Sequence, residues 1–168
     1  VVALARYFEF YGASADKVHG DTIPYQNGFT VLTIYEPHGV TGHIIPWNYP
    51  MQILGRSLGA ALAMGNAAVV KPAEEACLTI LEFADIAQEA GLPAGALNIV
   101  TGFGAEAGAA LSEHTDINHI SFTGSARTGE MVQTAAARNA VPVTLELGGK
   151  SAQVVFADAD LDRAVPFL

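Results

Sequence analysis

Positive charge is scarce in this sequence. Eight Lys and Arg stand against 17 Asp and Glu in 168 residues, for a net charge of −9. Nucleic acid and anionic membrane surfaces both require clustered cations, so neither is expected as a partner. Cysteine is scarcer still. Cys77 is the only one, which excludes an internal disulfide and makes a reducing, cytoplasmic setting the expectation. The five histidines are scattered, and no His or Cys pair has ligand spacing, so no structural metal site is expected. The most apolar long window, residues 53–70, is interrupted by Arg56, Asn66 and three glycines, and is not an unbroken membrane span. No signal-peptide pattern opens the chain, and internal repeats, low-complexity tracts and charge blocks are missing.

What is present is apolar residues in order. With 51% hydrophobic residues and a mean hydropathy of +0.31, the chain is long and apolar enough to bury the core of one domain. It starts at VVALARYFEFYG without Met and stops at AVPFL, inside a helix that Asp160 is placed to begin. A segment of a larger protein is therefore expected.

Helical spacing of Val1, Leu4, Ala5, Phe8 and Tyr11 predicts an amphipathic first helix within residues 1–20, stopped by Gly12. In DTIPYQNGFTVLTIYE, residues 21–36, two extended runs flank Asn27-Gly28, which predicts an antiparallel hairpin. From there β-like runs alternate with helical windows: strands at 40–45, 67–71, 96–101, 117–122 and 142–147, and helices near 51–64, 76–90, 104–113 and 125–138. That alternation predicts a doubly wound, Rossmann-like α/β domain with a parallel sheet and an inserted hairpin, and places functional groups at the C-terminal ends of the strands. A further extended run at 151–156 leads to the helix begun by Asp160.

Several strand ends carry residues with chemical potential. In SFTGSARTG, Gly124 and Ser125 lead a strand into a helix and Gly129 follows one turn on. Such a helix start exposes N–H groups suited to a pyrophosphate, and it equally fits an ordinary serine-capped turn. The stretch TGFGAEAG at 101–108 is one residue too long for the dinucleotide fingerprint and is set aside as the phosphate loop. In KPAEE, Lys71 and Glu74 lie three apart around a turn and are able to hold the two hydroxyls of a ribose; acids complementing a helix dipole are the alternative. A glutamate there repels a 2′-phosphate, which favours NAD over NADP. In PWNYP, two prolines and two aromatics frame Asn48, whose amide suits an oxyanion hole or a helix cap. Cys77 reads as a buried small hydrophobe. Glu146, at the end of an apolar strand in LELGGKS, needs a partner or a task.

In this order PWNYP, KPAE, SFTGSARTG and LELGGKS resemble the NAD(P)-dependent aldehyde dehydrogenase superfamily, over almost the whole chain. The resemblance implies an NAD-binding domain over residues 1–20 and 37–148, an oligomerisation hairpin at 21–36, and the start of a catalytic domain at 149–168. It makes Asn48 the oxyanion-stabilising amide and Glu146 the general base for thioester hydrolysis, with Gly148 and Gly149 allowing a tight turn beside it. Lys71 and Glu74 become adenosine-ribose contacts, Gly124, Ser125 and Gly129 the pyrophosphate site, and Pro46 and Trp47 the lining of the cofactor and substrate crevice. The implied reaction is oxidation of an aldehyde to a carboxylic acid by a homo-oligomer. The family's nucleophilic cysteine lies farther beyond the glutamate than the 22 residues that follow Glu146, so the isolated chain is expected to be inactive. A noncatalytic dinucleotide-binding or interaction module is the alternative.

Overall fold

The computed structural model describes residues 1–149 and 152–167. The elements follow the predicted alternation: helix α1 (Val2–Ser14), strands β1 (Thr22–Ile23), β2 (Val31–Leu32) and β3 (Val40–Ile45), helix α2 (Pro50–Ala63), strand β4 (Ala67–Pro72), helix α3 (Leu78–Glu89), strand β5 (Leu97–Ile99), helix α4 (Ala109–Glu113), strand β6 (His119–Gly124), helix α5 (Ala126–Ala137), strand β7 (Val143–Leu147) and helix α6 (Leu161–Ala164).

Five strands form one parallel sheet in the order β5-β4-β3-β6-β7. The chain builds outward from β3 through β4 to β5, then returns to the other side of β3 for β6 and β7. This is the doubly wound arrangement, and the strand order reverses between β3 and β6. The two sheet faces carry separate cores. On one, Leu4 of α1, Leu54 and Leu58 of α2 and Ile80 of α3 bury against Ile45, Ala68 and Val70. On the other, Val132 and Ala136 of α5 cover Ile120 and Phe122, with Leu111 of α4 beside them. Burying a Leu or Ile side chain is worth about 1.5–3 kcal/mol, so each face is closed by its own pair or trio of helices.

The structure departs from the sequence reading at several points. Gly12 does not stop the first helix; α1 runs through it to Ser14, followed by a 3-10 turn at Ala15–Lys17. Its packing on α2 outweighs the propensity cost of one glycine. The hairpin is antiparallel, but its ladder is short, Thr22 opposite Leu32 and Ile23 opposite Val31. Asn27-Gly28 turns the tip, with Phe29 N–H donating to Gln26 C=O (3.3 Å) and Gly28 at φ +89°, rather than joining the strands directly. Pro24, which has no N–H to give, stands next to the ladder. The 104–113 window divides into a π-helical turn, Gly104–Gly108, and α4. Residues 152–156 form no strand; Val154, Val155 and Phe156 are exposed there without a neighbouring strand among the described residues. Ser151, which begins that run, and Lys150 lie outside the described residues. Asp160 does cap α6, accepting from Arg163 N–H at 3.3 Å.

Among the described residues no helix is long and apolar enough to cross a membrane, and no group of three or more His, Cys, Asp or Glu is arranged to hold a metal ion.

Candidate functional site

Where the strand order reverses, the C-terminal ends of β3 and β6 diverge and a crevice of about 630 Å³ opens between them. Pro46, Trp47, Asn48 and Tyr49 follow β3 into it. Gln52, Ile53 and Arg56 of α2 form a wall, Thr123 and Gly124 end β6, and Glu146, Leu147 and Gly148 come from β7. The fold thus brings five of the predicted residues, Pro46, Trp47, Asn48, Gly124 and Glu146, into one concavity.

Local structure fixes how Asn48 is presented. Tyr49, not Asn48, is the N-cap of α2, and Pro50 begins the helix, where its missing N–H costs nothing. Tyr49 N–H donates to Asn48 Oδ1 at 3.1 Å. With its oxygen held by the backbone, the amide turns its NH₂ donors away from that contact. An amide held in this way is a preorganised donor.

Glu146 sits opposite Thr123 in the β6–β7 ladder. Along β7 exposed residues, Thr144 and Glu146, alternate with half-buried Val143, Leu145 and Leu147. The carboxylate therefore lies at an exposed position of the strand, lining the crevice, which resolves the apparent cost of a charge in that run.

The other predicted residues surround the crevice without lining it. Lys71 is almost wholly buried in β4, its side chain 3% exposed, and its Nζ reaches Glu74 Oε2 at 3.1 Å; the Glu74 side chain is 40% exposed. A hydrogen bond from its own backbone N–H, then one from Lys71, hold the Glu74 carboxyl below its ordinary pKa; burial opposes them and the Lys71 charge adds to them. A charged carboxylate with a fixed ammonium beside it fits a vicinal diol, one group accepting and the other donating. Ser125 caps α5: its Oγ accepts from Thr128 N–H at 3.2 Å and lies 2.9 Å from Thr128 Oγ1. The first N–H groups of α5 have no acceptor within the helix. Gly129, one turn on, is buried against β7, where a Cβ would come within 2.5 Å of Leu147 Cδ2. Its lack of a side chain lets α5 close on β7. By strand alternation Lys71 lies on the sheet face that α5 covers, and Glu146 on the face that α2 covers.

Cys77 is half-buried at the N-cap of α3, with Sγ 3.8 Å from Glu74 C=O. The sequence places the helix near 51–64, with Tyr49 and Met51, as one wall of an aldehyde site; in the structure the α2 residues of that wall are Gln52, Ile53 and Arg56, which follow Tyr49 at three, four and seven residues on one helical face. The sequence reading missed a groove of about 550 Å³ between α2 and the sheet, lined among others by Thr41, His43, His119 and Thr144, in which His38 and His119 stack with centroids 5.2 Å apart.

Residues 1–168 match the family model described as "Aldehyde dehydrogenase family". The chain belongs to the aldehyde dehydrogenase family. A hydroxyisobutyraldehyde dehydrogenase from Mycolicibacterium austroafricanum is 50% identical over 165 residues, 98% of this chain and 33% of that protein. A Burkholderia cenocepacia crystal structure assigned to the aldehyde dehydrogenases superposes with a TM-score of 0.91 at 74% identity, over 98% of this chain and 34% of the other. The NAD⁺ complex of a Bacillus cereus aldehyde dehydrogenase gives a TM-score of 0.92 at 44% identity, again over 98% and 34%. The chain spans about a third of the length of these relatives.

Proposed function

We propose that this chain supplies the cofactor site and two catalytic groups of an NAD-dependent aldehyde dehydrogenase that oxidises an aldehyde to a carboxylic acid. The observation that carries the proposal is the crevice at the strand-order reversal, where the presented Asn48 amide and the Glu146 carboxylate, distant in sequence, share one concavity.

The residues present fit NAD. Lys71 and Glu74 hold the adenosine ribose, the Ser125-capped start of α5 with Gly124 takes the pyrophosphate, and Trp47 and Pro46 flank the path into the crevice, while Gly129 keeps α5 seated. The bound cofactor supplies the hydride acceptor. NADP is disfavoured because its 2′-phosphate would meet the ionised Glu74. The Asn48 NH₂ stabilises the negative oxygen formed when a thiolate adds to the aldehyde carbonyl. That thiolate belongs to the larger protein, since Cys77, with Sγ 3.8 Å from Glu74 C=O, is not among the residues that line the crevice. Glu146 then takes a proton from the water that hydrolyses the thioester, releasing the acid. Within the larger protein, residues 1–20 and 37–148 form the NAD-binding unit, 21–36 an oligomerisation hairpin and 149–168 the start of the catalytic domain. The isolated segment does not turn over aldehydes. A cytoplasmic homo-oligomer is the assembly this reading implies.

The complete polypeptide tests it. Asn48→Ala lowers kcat by about 100- to 1,000-fold, the cost of one oxyanion donor. Glu146→Gln keeps a stoichiometric burst of NADH, because hydride transfer precedes hydrolysis, and then turns over slowly. Unchanged steady-state rates in both variants would contradict the roles assigned.

A further inference from the structure

Arg56 has no task in the reading above, and it lines the crevice. It is exposed on the α2 face that walls the crevice, one turn beyond Gln52. The ion pairs among the described residues engage Arg6, Lys17, Lys71 and Arg138; Arg56 belongs to none of them. Its contact is a long hydrogen bond, Nη2 to Thr123 Oγ1 at 3.5 Å. Thr123 is also the residue opposite Glu146, so the cation and the carboxylate neighbour the same threonine without pairing. Arg127 and Arg163 also stand outside those ion pairs, but Arg56 alone of the three lines the concavity that holds the reacting groups.

The geometry also sets a reach. About 10 Å of helix separates Tyr49 from Arg56 at 1.5 Å per residue, and helical side chains lean back toward the N-terminus. The guanidinium, in contact with Thr123, shares the crevice with Asn48 at that end of α2. A planar fork of N–H donors binds a carboxylate through two parallel bonds, and an aldehyde oxygen at Asn48 leaves the far end of a short substrate facing that fork.

We infer that Arg56 selects aldehydes that carry a carboxylate at the end remote from the reacting carbonyl. This rests on the aldehyde dehydrogenase reading and names its substrate class. Arg56 is a specificity-determining residue that acts on the substrate's far end.

The test compares 4-oxobutanoate and 6-oxohexanoate with their methyl esters in the complete polypeptide, wild type, Arg56→Gln and Arg56→Lys, with thermal unfolding as a check that each variant is folded. The wild type is expected to favour at least one acid over its ester in kcat/KM by tenfold or more. Arg56→Gln should lower that ratio about 10- to 100-fold, the scale of a charge-assisted pair, and Arg56→Lys should restore part of it. Calorimetry supplies a reading independent of turnover: the dicarboxylate product binds Arg56→Gln more weakly by a similar factor. A wild type that does not discriminate acid from ester, or a ratio unmoved by Arg56→Gln, overturns the inference while leaving the dehydrogenase reading intact. A rise in the KM for NAD that is equal with acid and ester would assign Arg56 to the cofactor's phosphates and overturn it as well. Failure of every aldehyde to yield NADH overturns the dehydrogenase reading, and this inference with it.

Discussion

At the scale of single residues, His43 shows how much one buried group can determine. Thr41 Oγ1 lies 3.0 Å from Ala67 C=O and 2.9 Å from His43 Nε2. A carbonyl only accepts, so the single hydroxyl proton goes to Ala67, and His43 Nε2 must carry the proton of the second bond. Nδ1 is left as a bare acceptor, buried and without a partner among the described residues. Burial, with His119 nearby, pushes the His43 pKa down from 6.5 to about 4; burial, with His38 nearby, also lowers that of His119. The folded state therefore refuses a proton that the unfolded chain accepts. Stability is unaffected above pH 6.5, falls as pH drops below it, and the loss is complete near pH 4, at roughly 3 kcal/mol for His43. Urea unfolding at pH 7 and pH 5 should show the midpoint falling in the wild type and falling distinctly less in His43→Gln; equal falls would remove His43 from the account. Glu74 enters only lower, where its depressed pKa makes it lose its contribution as pH falls below the ordinary carboxylate range. None of this was legible in the sequence, because a histidine in a strand declares neither its burial nor its tautomer. The places of Asn48 and Glu146 at strand ends were legible, since prolines and glycines around them mark backbone turns; the tasks proposed for them came from the family resemblance.

Elements show where local signals suffice and where packing decides. Strand and helix alternation after Pro37 was readable because each strand is an apolar run and each helix has an apolar stripe. The first helix was misjudged at its end. Glycines on its partner, not on itself, matter most: a Cβ on Gly55 would stand 3.2 Å from Leu4 Cα, and one on Gly59 would stand 2.9 Å from Tyr11 Cδ2. The small residues of α2 let α1 lie close, and that contact carries α1 past Gly12. The hairpin gave its turn correctly and its ladder poorly, because Asn27-Gly28 sets a tip but not where pairing begins. What the hairpin offers is apolar surface. Tyr25 and Phe29, edge to face at 6.1 Å, are exposed together with Leu32, Ile34 and Tyr35, a patch suited to burial between subunits. Light scattering on the complete polypeptide should show an oligomer, shifted toward monomer by Tyr25→Ser with Phe29→Ser; an unchanged mass would exclude the hairpin as the interface.

For the whole molecule the decisive fact is topological. Reversal of strand order between β3 and β6 creates a crevice that no local pattern specifies, yet the order of motifs along the chain identified the family whose fold contains it. Sequence alone did not reveal which residues line that crevice together, because Arg56 comes to share it with Thr123 and Glu146 only after α2 has folded back over the sheet. The division of labour we propose across the sheet follows from the same topology: Lys71 and the α5 start on one face, Glu146 on the other, and the C-terminal edge between them as the proposed path of an extended cofactor. The central claim is that this segment carries the NAD site itself. Calorimetric titration of NAD into the 168-residue chain tests it directly, with Glu74→Gln and Ser125→Ala as variants. The account predicts saturable binding that each substitution weakens, Ser125→Ala also costing about 0.5–2 kcal/mol of stability as a lost helix cap. Absence of binding, or binding that neither substitution alters, would contradict it.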